Sequence, residues 1–120
     1  MQKVQGIGGV FLKARDPQQL ALWYQQHLGV SLNPDSPYGS FYAKEQDETV
    51  WSTFAEDSTY FGRAEQQMMV NYRVADLDAM LTQLEAAGVR VDDQRESGDY
   101  GKFGWAYDPE GNKFELWQPN

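Results

Sequence analysis

The chain has no cysteine and a single histidine, His27, among its 120 residues. Without cysteine there is no disulfide framework, no thiolate nucleophile and no zinc site built on sulfur, so stability has to come from packing. A single histidine also argues against a histidine-rich metal centre and against a serine–histidine triad. These absences leave carboxylates, amides and aromatic side chains as the candidates for a functional site.

The chain also lacks a long apolar segment. No run approaches the roughly 20 apolar residues needed to span a bilayer, and residues 1–6 lack the apolar stretch of a signal peptide. We therefore expect a cytoplasmic protein without a membrane partner.

Basic residues are scarce, with 10 Lys and Arg against 18 Asp and Glu and a net charge of −8. Binding to a phosphate backbone requires a concentrated basic surface. We therefore expect no nucleic-acid partner.

One pattern of residues occurs twice along the chain. Asp16 and Asp76 each precede a stretch whose apolar residues recur at steps of three and four, which predicts an amphipathic helix. An aspartate at this position accepts hydrogen bonds from the amides of the first turn. Gly29 and Gly88 tolerate the left-handed conformation that often ends a helix. Trp23 falls on the predicted apolar face of the first helix, so we expect it in the core.

Alternating apolar residues between turn-forming segments predict eight strands. These predicted strands lie at residues 8–14, 30–32, 38–43, 49–55, 68–74, 89–91, 101–107 and 113–117. Polar turns are expected at 45–47 and 108–112. The length fits a single domain, which we divide into a first βαβββ module at 4–56, a linker at 57–66 and a second βαβββ module at 67–120.

The segment 108–116, with the sequence Asp-Pro-Glu-Gly-Asn-Lys-Phe-Glu-Leu, and the duplicated pattern resemble the vicinal oxygen chelate superfamily. This superfamily includes glyoxalase I, extradiol dioxygenases, fosfomycin-resistance enzymes and bleomycin-resistance proteins. The resemblance covers nearly the whole chain. It implies an α+β fold in which two tandem βαβββ modules form a curved, half-open mixed sheet around a ligand cup. It also implies a homodimer.

Members that use a metal hold a divalent ion with histidine, glutamate or glutamine from both modules. By the resemblance, these positions correspond to Gly9, Ser52, Met69 and Glu115, of which only Glu115 has a carboxylate. A catalytic divalent ion needs about three protein ligands, and glycine, serine and methionine do not replace histidine and glutamate there. We therefore expect no cofactor, and a divalent metal only if non-standard ligands join Glu115.

Strand alternation places aromatic and polar side chains around one concavity, which is the usual design for a small organic ligand. The predicted ligand-binding residues are Phe11, Lys13, Ser52, Met69, Asn71, Arg73, Trp105, Tyr107, Glu115 and Trp117. Among them, Lys13 and Arg73 occupy matching places in the two modules and are candidates for binding a carboxylate or phosphate. Trp105 and Trp117 are candidates for stacking on the ligand.

Glu115 has two interpretations. It is the candidate catalytic residue, as a general base or as the counter-charge of a cationic ligand. Alternatively, it is a remnant of a metal site that is hydrogen-bonded to Asn71, Arg73 or water. The sequence leaves both interpretations open.

Two classes of function follow. The first is metal-independent binding of a small aromatic, cationic or amphipathic molecule, as the resemblance to bleomycin-resistance proteins suggests. The alternative is a metal-dependent lyase, isomerase or oxygenase with an atypical site. Its further metal ligands would come from Glu56, Asp57, Asn71 or His27.

A metal-free enzyme is a third possibility. Glu115 would then act as the base, and Lys13 or Arg73 would stabilise an enolate-like intermediate.

Overall fold

The structure, a computed structural model, describes residues 1–28, 30–42 and 48–120, without the side chains of His27 and Leu28. The predicted helix end at Gly29, the predicted turn at 45–47 and the His27 side chain lie outside the described residues. The chain divides into two compact units. The N-terminal unit contains residues 9–68, and the C-terminal unit contains residues 1–8 and 69–120.

In the described ranges the chain forms seven strands and two helices. In chain order these elements are β1 (Gly6–Ala14), α1 (Pro17–Leu28), β2 (Tyr38–Tyr42), β3 (Glu48–Ala55), β4 (Met68–Arg73), α2 (Leu77–Ala86), β5 (Val91–Gly98), β6 (Gly101–Tyr107) and β7 (Lys113–Gln118). The strands form a mixed sheet with parallel and antiparallel pairs, which confirms the predicted α+β fold class. The division into modules around a linker at 57–66 stays a prediction.

In the N-terminal unit, β3 pairs in parallel with β1 and antiparallel with β2. The helix α1 packs on one face of this sheet, where the ring centroids of Tyr24 and Trp51 are 4.9 Å apart. Thr53 Oγ1 donates a hydrogen bond to the carbonyl of Pro17 at 2.8 Å on the same face. Because side chains alternate along a strand, Phe11 and Phe54 lie on the opposite face, with ring centroids 5.4 Å apart.

In the C-terminal unit, β7 pairs in parallel with β4 and antiparallel with β6, and β6 pairs antiparallel with β5. The helix α2 covers one face of these strands. Its apolar residues form the core of the unit with residues of β7 and of the segment after β4. The buried members of this core are Val74, Leu77, Met80, Leu81 and Leu116. The side chains on the face opposite α2 are therefore not part of this core.

The predicted helix signals are confirmed where the structure describes them. The carboxylate of Asp16 accepts a hydrogen bond from the Gln19 amide at 3.1 Å, and that of Asp76 accepts one from the Ala79 amide at 3.0 Å. Gly88 follows α2 with a φ of 79°, in the left-handed region. The pattern of capping residues therefore located the starts of both helices.

The predicted strand at 30–32 is wrong. This segment makes one isolated bridge, from Leu32 to Gly39, instead of a strand. The chain turns directly afterwards, because the Asn33 amide donates to the Tyr38 carbonyl at 2.9 Å. A side chain at Gly39 would overlap the Ser31 carbonyl oxygen, so glycine allows the two segments to approach closely here.

The predicted strand at 89–91 is also misplaced, because β5 covers Val91–Gly98. This strand has one hydrogen-bonded neighbour, β6, and its residues from Asp93 onward are exposed. A solvent-exposed edge strand needs no apolar alternation, so its sequence, Val-Asp-Asp-Gln-Arg-Glu-Ser-Gly, resembles a loop.

The prediction that Trp23 lies in the core is wrong, since 49% of this residue is exposed. The side of α1 that faces the sheet carries Ala21, which is fully buried, and Tyr24, which packs on Trp51. Successive residues of a helix are rotated by about 100°, so a rotation of about 200° separates Trp23 from Ala21 and places it nearly on the opposite side of α1.

In the described part of the chain, no helix is long and apolar enough to cross a bilayer.

Candidate functional site

The face of β4, β7 and β6 opposite α2 carries most of the predicted site residues, and we call it the Glu115 face. The side chains at every second position point away from α2, because Gly104, Leu116 and Val74 at the intervening positions lie towards the helix. The Glu115 face consists of Met69, Asn71 and Arg73 on β4, Phe103, Trp105 and Tyr107 on β6, and Lys113, Glu115 and Trp117 on β7.

Glu115 lies at the centre of this face. The strand register places it opposite Asn71 on one side and Trp105 on the other. Asn71 Nδ2 donates a hydrogen bond to Glu115 Oε1 at 2.6 Å, and Trp105 Nε1 donates one to Glu115 Oε2 at 2.8 Å. Glu115 is only 2% exposed. Both carboxylate oxygens therefore have a neutral N–H donor inside the protein, which offsets the cost of burying the charge.

The amide oxygen of Asn71 lies on the other side, next to Gly8. Its Oδ1 atom is buried and has no hydrogen-bond partner within the described protein. A Cβ atom at Gly8 would overlap this oxygen and would lie 3.0 Å from Trp117 Cε3. The absence of a side chain at Gly8 thus leaves the space that the Asn71 oxygen occupies.

The row beside Glu115 is aromatic and cationic. The indole of Trp117 lies parallel to the ring of Phe103, with centroids 6.1 Å apart, and its Nε1 donates to the Tyr100 carbonyl at 2.8 Å. Arg73 is opposite Trp117 in the register, and its guanidinium donates to the Ile7 carbonyl at 2.8 Å. Phe103 and Arg73 are partly exposed, whereas Trp117 is buried. The partly exposed members of this row are therefore an aromatic ring and a cation, one on each side of Trp117.

The row on the other side of Glu115 ends in a charged cluster. The ammonium group of Lys113 lies 5.6 Å from the centroid of Trp105. The hydroxyl of Tyr107 donates to Asp92 Oδ2 at 3.0 Å, and the guanidinium of Arg90 lies 4.0 Å from the ring centroid of Tyr107. Tyr107 is therefore fixed by β5 and by the segment just before it.

This cluster shifts two pKa values in opposite directions. The backbone hydrogen bond from Gln94 lowers the pKa of Asp92 below its ordinary value of 3.8, and the Tyr107 hydroxyl acts in the same direction. Burial raises the pKa of Tyr107 above 10.0, and its hydrogen bond to Asp92 raises it further. Both shifts stabilise the state in which Asp92 is ionised and Tyr107 is neutral.

Three predicted site residues lie in the N-terminal unit. Lys13 Nζ donates to the Ala64 carbonyl at 3.2 Å and lies 5.4 Å from the ring centroid of Phe61. Phe11 is paired with Ser52 in the register, and the Ser52 hydroxyl donates to the Thr53 carbonyl at 3.1 Å. Trp51 packs on Tyr24 of α1, so its neighbour Ser52 lies on the face opposite the helix.

The residues at the metal positions implied by the superfamily do not fit a divalent ion. Gly9 has no side chain, Met69 has a thioether, and the Ser52 hydroxyl donates a hydrogen bond to the backbone. Glu115 has N–H donors on both oxygens. The described residues contain no group of three or more His, Cys, Asp or Glu side chains that could hold a metal ion.

The structure adds three residues that the sequence analysis missed. Phe103 and Lys113 lie on the Glu115 face two positions before Trp105 and Glu115, so strand alternation could have identified both. The third residue, Asp92, belongs to β5 and accepts the Tyr107 hydrogen bond. No local sequence signal indicates that contact, because it depends on the register of β5.

A glyoxalase-like domain family matches residues 9–117, which is most of the chain. The chain belongs to this family. The match and the fold confirm the resemblance to the vicinal oxygen chelate superfamily. No curated protein matches the chain significantly.

Solved structures with the same fold include two epimerases. Methylmalonyl-CoA epimerase from Streptomyces coelicolor is 18% identical, with a TM-score of 0.74, and the match covers 98% of this chain and 99% of that chain. The enzyme of the same name from Mycobacterium tuberculosis is 22% identical, with a TM-score of 0.68 and coverage of 98% and 89%.

A third similar structure is described as an NAD-dependent benzaldehyde dehydrogenase from Legionella pneumophila. It is 14% identical, with a TM-score of 0.64 and coverage of 93% of this chain and 98% of that chain. These likenesses establish the fold, and the function has to be argued from the site.

Proposed function

We propose that this glyoxalase-like protein binds a small aromatic, cationic or amphipathic organic molecule without a metal ion. The observation that carries the proposal is the environment of Glu115. In the superfamily this position supplies a metal ligand, whereas here Asn71 and Trp105 donate to the two carboxylate oxygens at 2.6 and 2.8 Å. Hydrogen bonds to a charged group contribute about 1.5–3 kcal/mol each. The protein therefore stabilises the buried carboxylate with its own donors.

The side chains around Glu115 indicate the class of ligand. Phe103 and Tyr107 are partly exposed, and the buried indoles of Trp105 and Trp117 lie beside them. Aromatic surfaces of this kind bind flat or cationic groups. Of the three charged residues on the Glu115 face, Arg73 is the most exposed. It favours an amphipathic ligand whose carboxylate or phosphate contacts the guanidinium while its apolar body covers the aromatic rings.

The comparisons support a ligand-binding role. The epimerase from Streptomyces coelicolor was solved in complex with 2-nitronate-propionyl-CoA, so a protein of this fold accommodates a small organic ligand. At 18% identity, the ligand itself does not transfer to this chain. We further propose a cytoplasmic homodimer that sequesters its ligand without turnover, in the manner of bleomycin-resistance proteins. In the N-terminal unit, Phe11, Lys13 and Ser52 stay proposed ligand-binding residues.

The experiment is a tryptophan-fluorescence titration with matched sets of compounds. Each set contains an aromatic carboxylate, the corresponding neutral amide and the corresponding quaternary ammonium compound. The protein is measured before and after dialysis against EDTA. We expect saturable binding with a dissociation constant that chelation leaves unchanged. Binding that disappears after chelation and returns with a divalent ion would overturn the proposal in favour of the metal-dependent alternative.

A matched pair of variants locates the site. Arg73→Gln removes the partly exposed cation of the Glu115 face, whereas Arg95→Gln removes an exposed cation from β5. We expect the first variant to weaken binding of the carboxylate compounds selectively and the second to leave all affinities unchanged. Equal effects of the two variants would show that net charge, and not a site at Arg73, governs binding.

A further inference from the structure

The side-chain amide of Asn71 makes a hydrogen bond through its nitrogen and none through its oxygen within the described protein. Its Nδ2 atom donates to Glu115 Oε1 at 2.6 Å, while its Oδ1 atom is buried without a partner in the described protein. An unsatisfied buried acceptor destabilises the folded state. Turning the amide by 180° would place Oδ1 against the carboxylate, which is worse because two acceptors would then face each other. The carboxyl group of Glu115 therefore determines the orientation of Asn71.

Gly8 determines whether this orientation is possible. A Cβ atom at Gly8 would overlap Asn71 Oδ1, so any larger residue there would displace the amide from its present orientation. Both residues belong to the C-terminal unit. Glu115 is thus held from one side by a chain of contacts from the backbone of Gly8 through the amide of Asn71, and from the other side by Trp105.

We infer that Asn71 is a positioning residue for Glu115, and that Gly8 controls the orientation of this carboxylate through Asn71 without touching it. The inference deepens the proposed function, on which it rests for the role of Glu115 in ligand binding. Both residues would then set the ligand affinity of the Glu115 face indirectly. A merely structural role would affect stability without changing the environment of the carboxylate.

The indole of Trp105 reports the position of Glu115 directly, because its N–H donates to the other carboxylate oxygen. The four tryptophans give four indole N–H signals in a proton–nitrogen correlation spectrum, which Trp→Phe variants assign. Trp51 packs on Tyr24 in the N-terminal unit and is the internal reference. We expect Asn71→Leu and Gly8→Ala to move the Trp105 signal and to leave the Trp51 signal in place.

Two further variants separate this effect from general damage. Gly98→Ala is the glycine control, because a Cβ atom there would have no neighbour within 4 Å, and it should leave the Trp105 signal unchanged. Asn71→Ala removes the oxygen that clashes, so adding Gly8→Ala to it should move the Trp105 signal little further. Residues in direct contact show this kind of non-additivity. Asn71→Leu keeps the approximate size of the side chain without a donor or a second carboxyl group, so it tests the donor if Gly8→Ala does not fold.

Ligand affinity is measured on the same variants with the best-binding compound of the matched sets. Loss of the hydrogen bond to Glu115 should weaken binding about tenfold or more in Asn71→Leu and Gly8→Ala. A folded Asn71→Leu protein with an unmoved Trp105 signal would overturn the inference. If no compound binds the unaltered protein, the proposed function fails, and the Trp105 signal still decides whether Asn71 positions Glu115.

Discussion

The indole of Trp105 donates a hydrogen bond to Glu115 Oε2 at 2.8 Å, and the two residues are directly opposite each other on β6 and β7. This hydrogen bond provides a partner for the buried indole N–H and for one oxygen of the buried carboxyl group. It also fixes the plane of the carboxylate relative to the sheet. A functional group of the C-terminal unit is therefore oriented by the same strand pairing that builds the fold.

Removing the Trp105 donor should destabilise the protein. Trp105→Phe leaves Glu115 Oε2 without this partner in a buried site, so we expect a loss of about 1–3 kcal/mol from the hydrogen bond, in addition to the effect of lost volume. Urea unfolding followed by circular dichroism measures it. Trp23→Phe is the control, because Trp23 is half-exposed, and its effect should stay within about 0.5 kcal/mol. Equal losses in both variants would contradict this role of Trp105.

Substitutions of Glu115 should destabilise the protein to different extents. Glu115→Met leaves the N–H donors of Asn71 and Trp105 unsatisfied, at a cost of about 1–3 kcal/mol for each. Glu115→Gln should cost less. Its carbonyl oxygen can accept from Trp105, and Asn71 can turn its amide by 180° to accept from the new N–H group. Chemical denaturation gives the order, and a glutamine variant that is less stable than the methionine variant would refute the proposed hydrogen-bond arrangement.

The pair Asp92 and Tyr107 makes stability depend on pH at both extremes. The folded-state pKa of Asp92 is lowered, so its contribution is present above the unfolded value of 3.8 and is lost as the pH falls through the folded value. The folded-state pKa of Tyr107 is raised, so its contribution is present below 10.0 and is lost as the pH rises through the folded value.

Asp92→Asn tests this coupling. The pKa of Tyr107 should fall towards its ordinary value without reaching it, because burial is the larger cause of the shift and remains. Tyrosinate absorbance with a Tyr107→Phe variant as the difference control measures this titration. An unchanged pKa of Tyr107 in Asp92→Asn would argue against the hydrogen bond between the two side chains.

Gly88 should be sensitive to substitution for a purely conformational reason. Its φ is 79°, and a Cβ atom would meet no neighbour within 4 Å, so any cost of Gly88→Ala comes from the left-handed backbone. We expect a loss of about 1–2 kcal/mol. Gly98 has equally open surroundings without this positive φ. Gly98→Ala is therefore the matched control in thermal unfolding, and a similar loss in both variants would contradict the explanation.

The fold was largely predictable from the sequence because its strongest signals are local. The aspartates that cap both helices and the turn at 108–112 act within a few residues, and the structure confirms them. Trp23 and β5 were mispredicted for a different reason. The rotation of α1 on its sheet and the exposed edge position of β5 depend on tertiary packing, which periodicity alone does not fix.

The candidate site was predictable only in part. Alternation places Asn71, Glu115 and Trp105 on one face, and a bond from Asn71 to Glu115 was among the alternatives that the sequence left open. The bond from Trp105 depends on the register of β6 against β7, and the contact of Asn71 with Gly8 depends on the proximity of residues distant in the chain. Whether the predicted residues bind a ligand stays a prediction.

A measurement of metal binding shows whether Glu115 acts as a metal ligand. Protein purified without chelators is analysed for metal and then titrated calorimetrically with Ni²⁺, Zn²⁺, Mn²⁺ and Fe²⁺, alongside Glu115→Gln. Because N–H donors from Asn71 and Trp105 meet both oxygens of Glu115, we predict substoichiometric metal and no difference between the two proteins. If the unaltered protein binds one equivalent of a divalent ion and Glu115→Gln does not, Glu115 is a metal ligand and metal-independent binding is refuted.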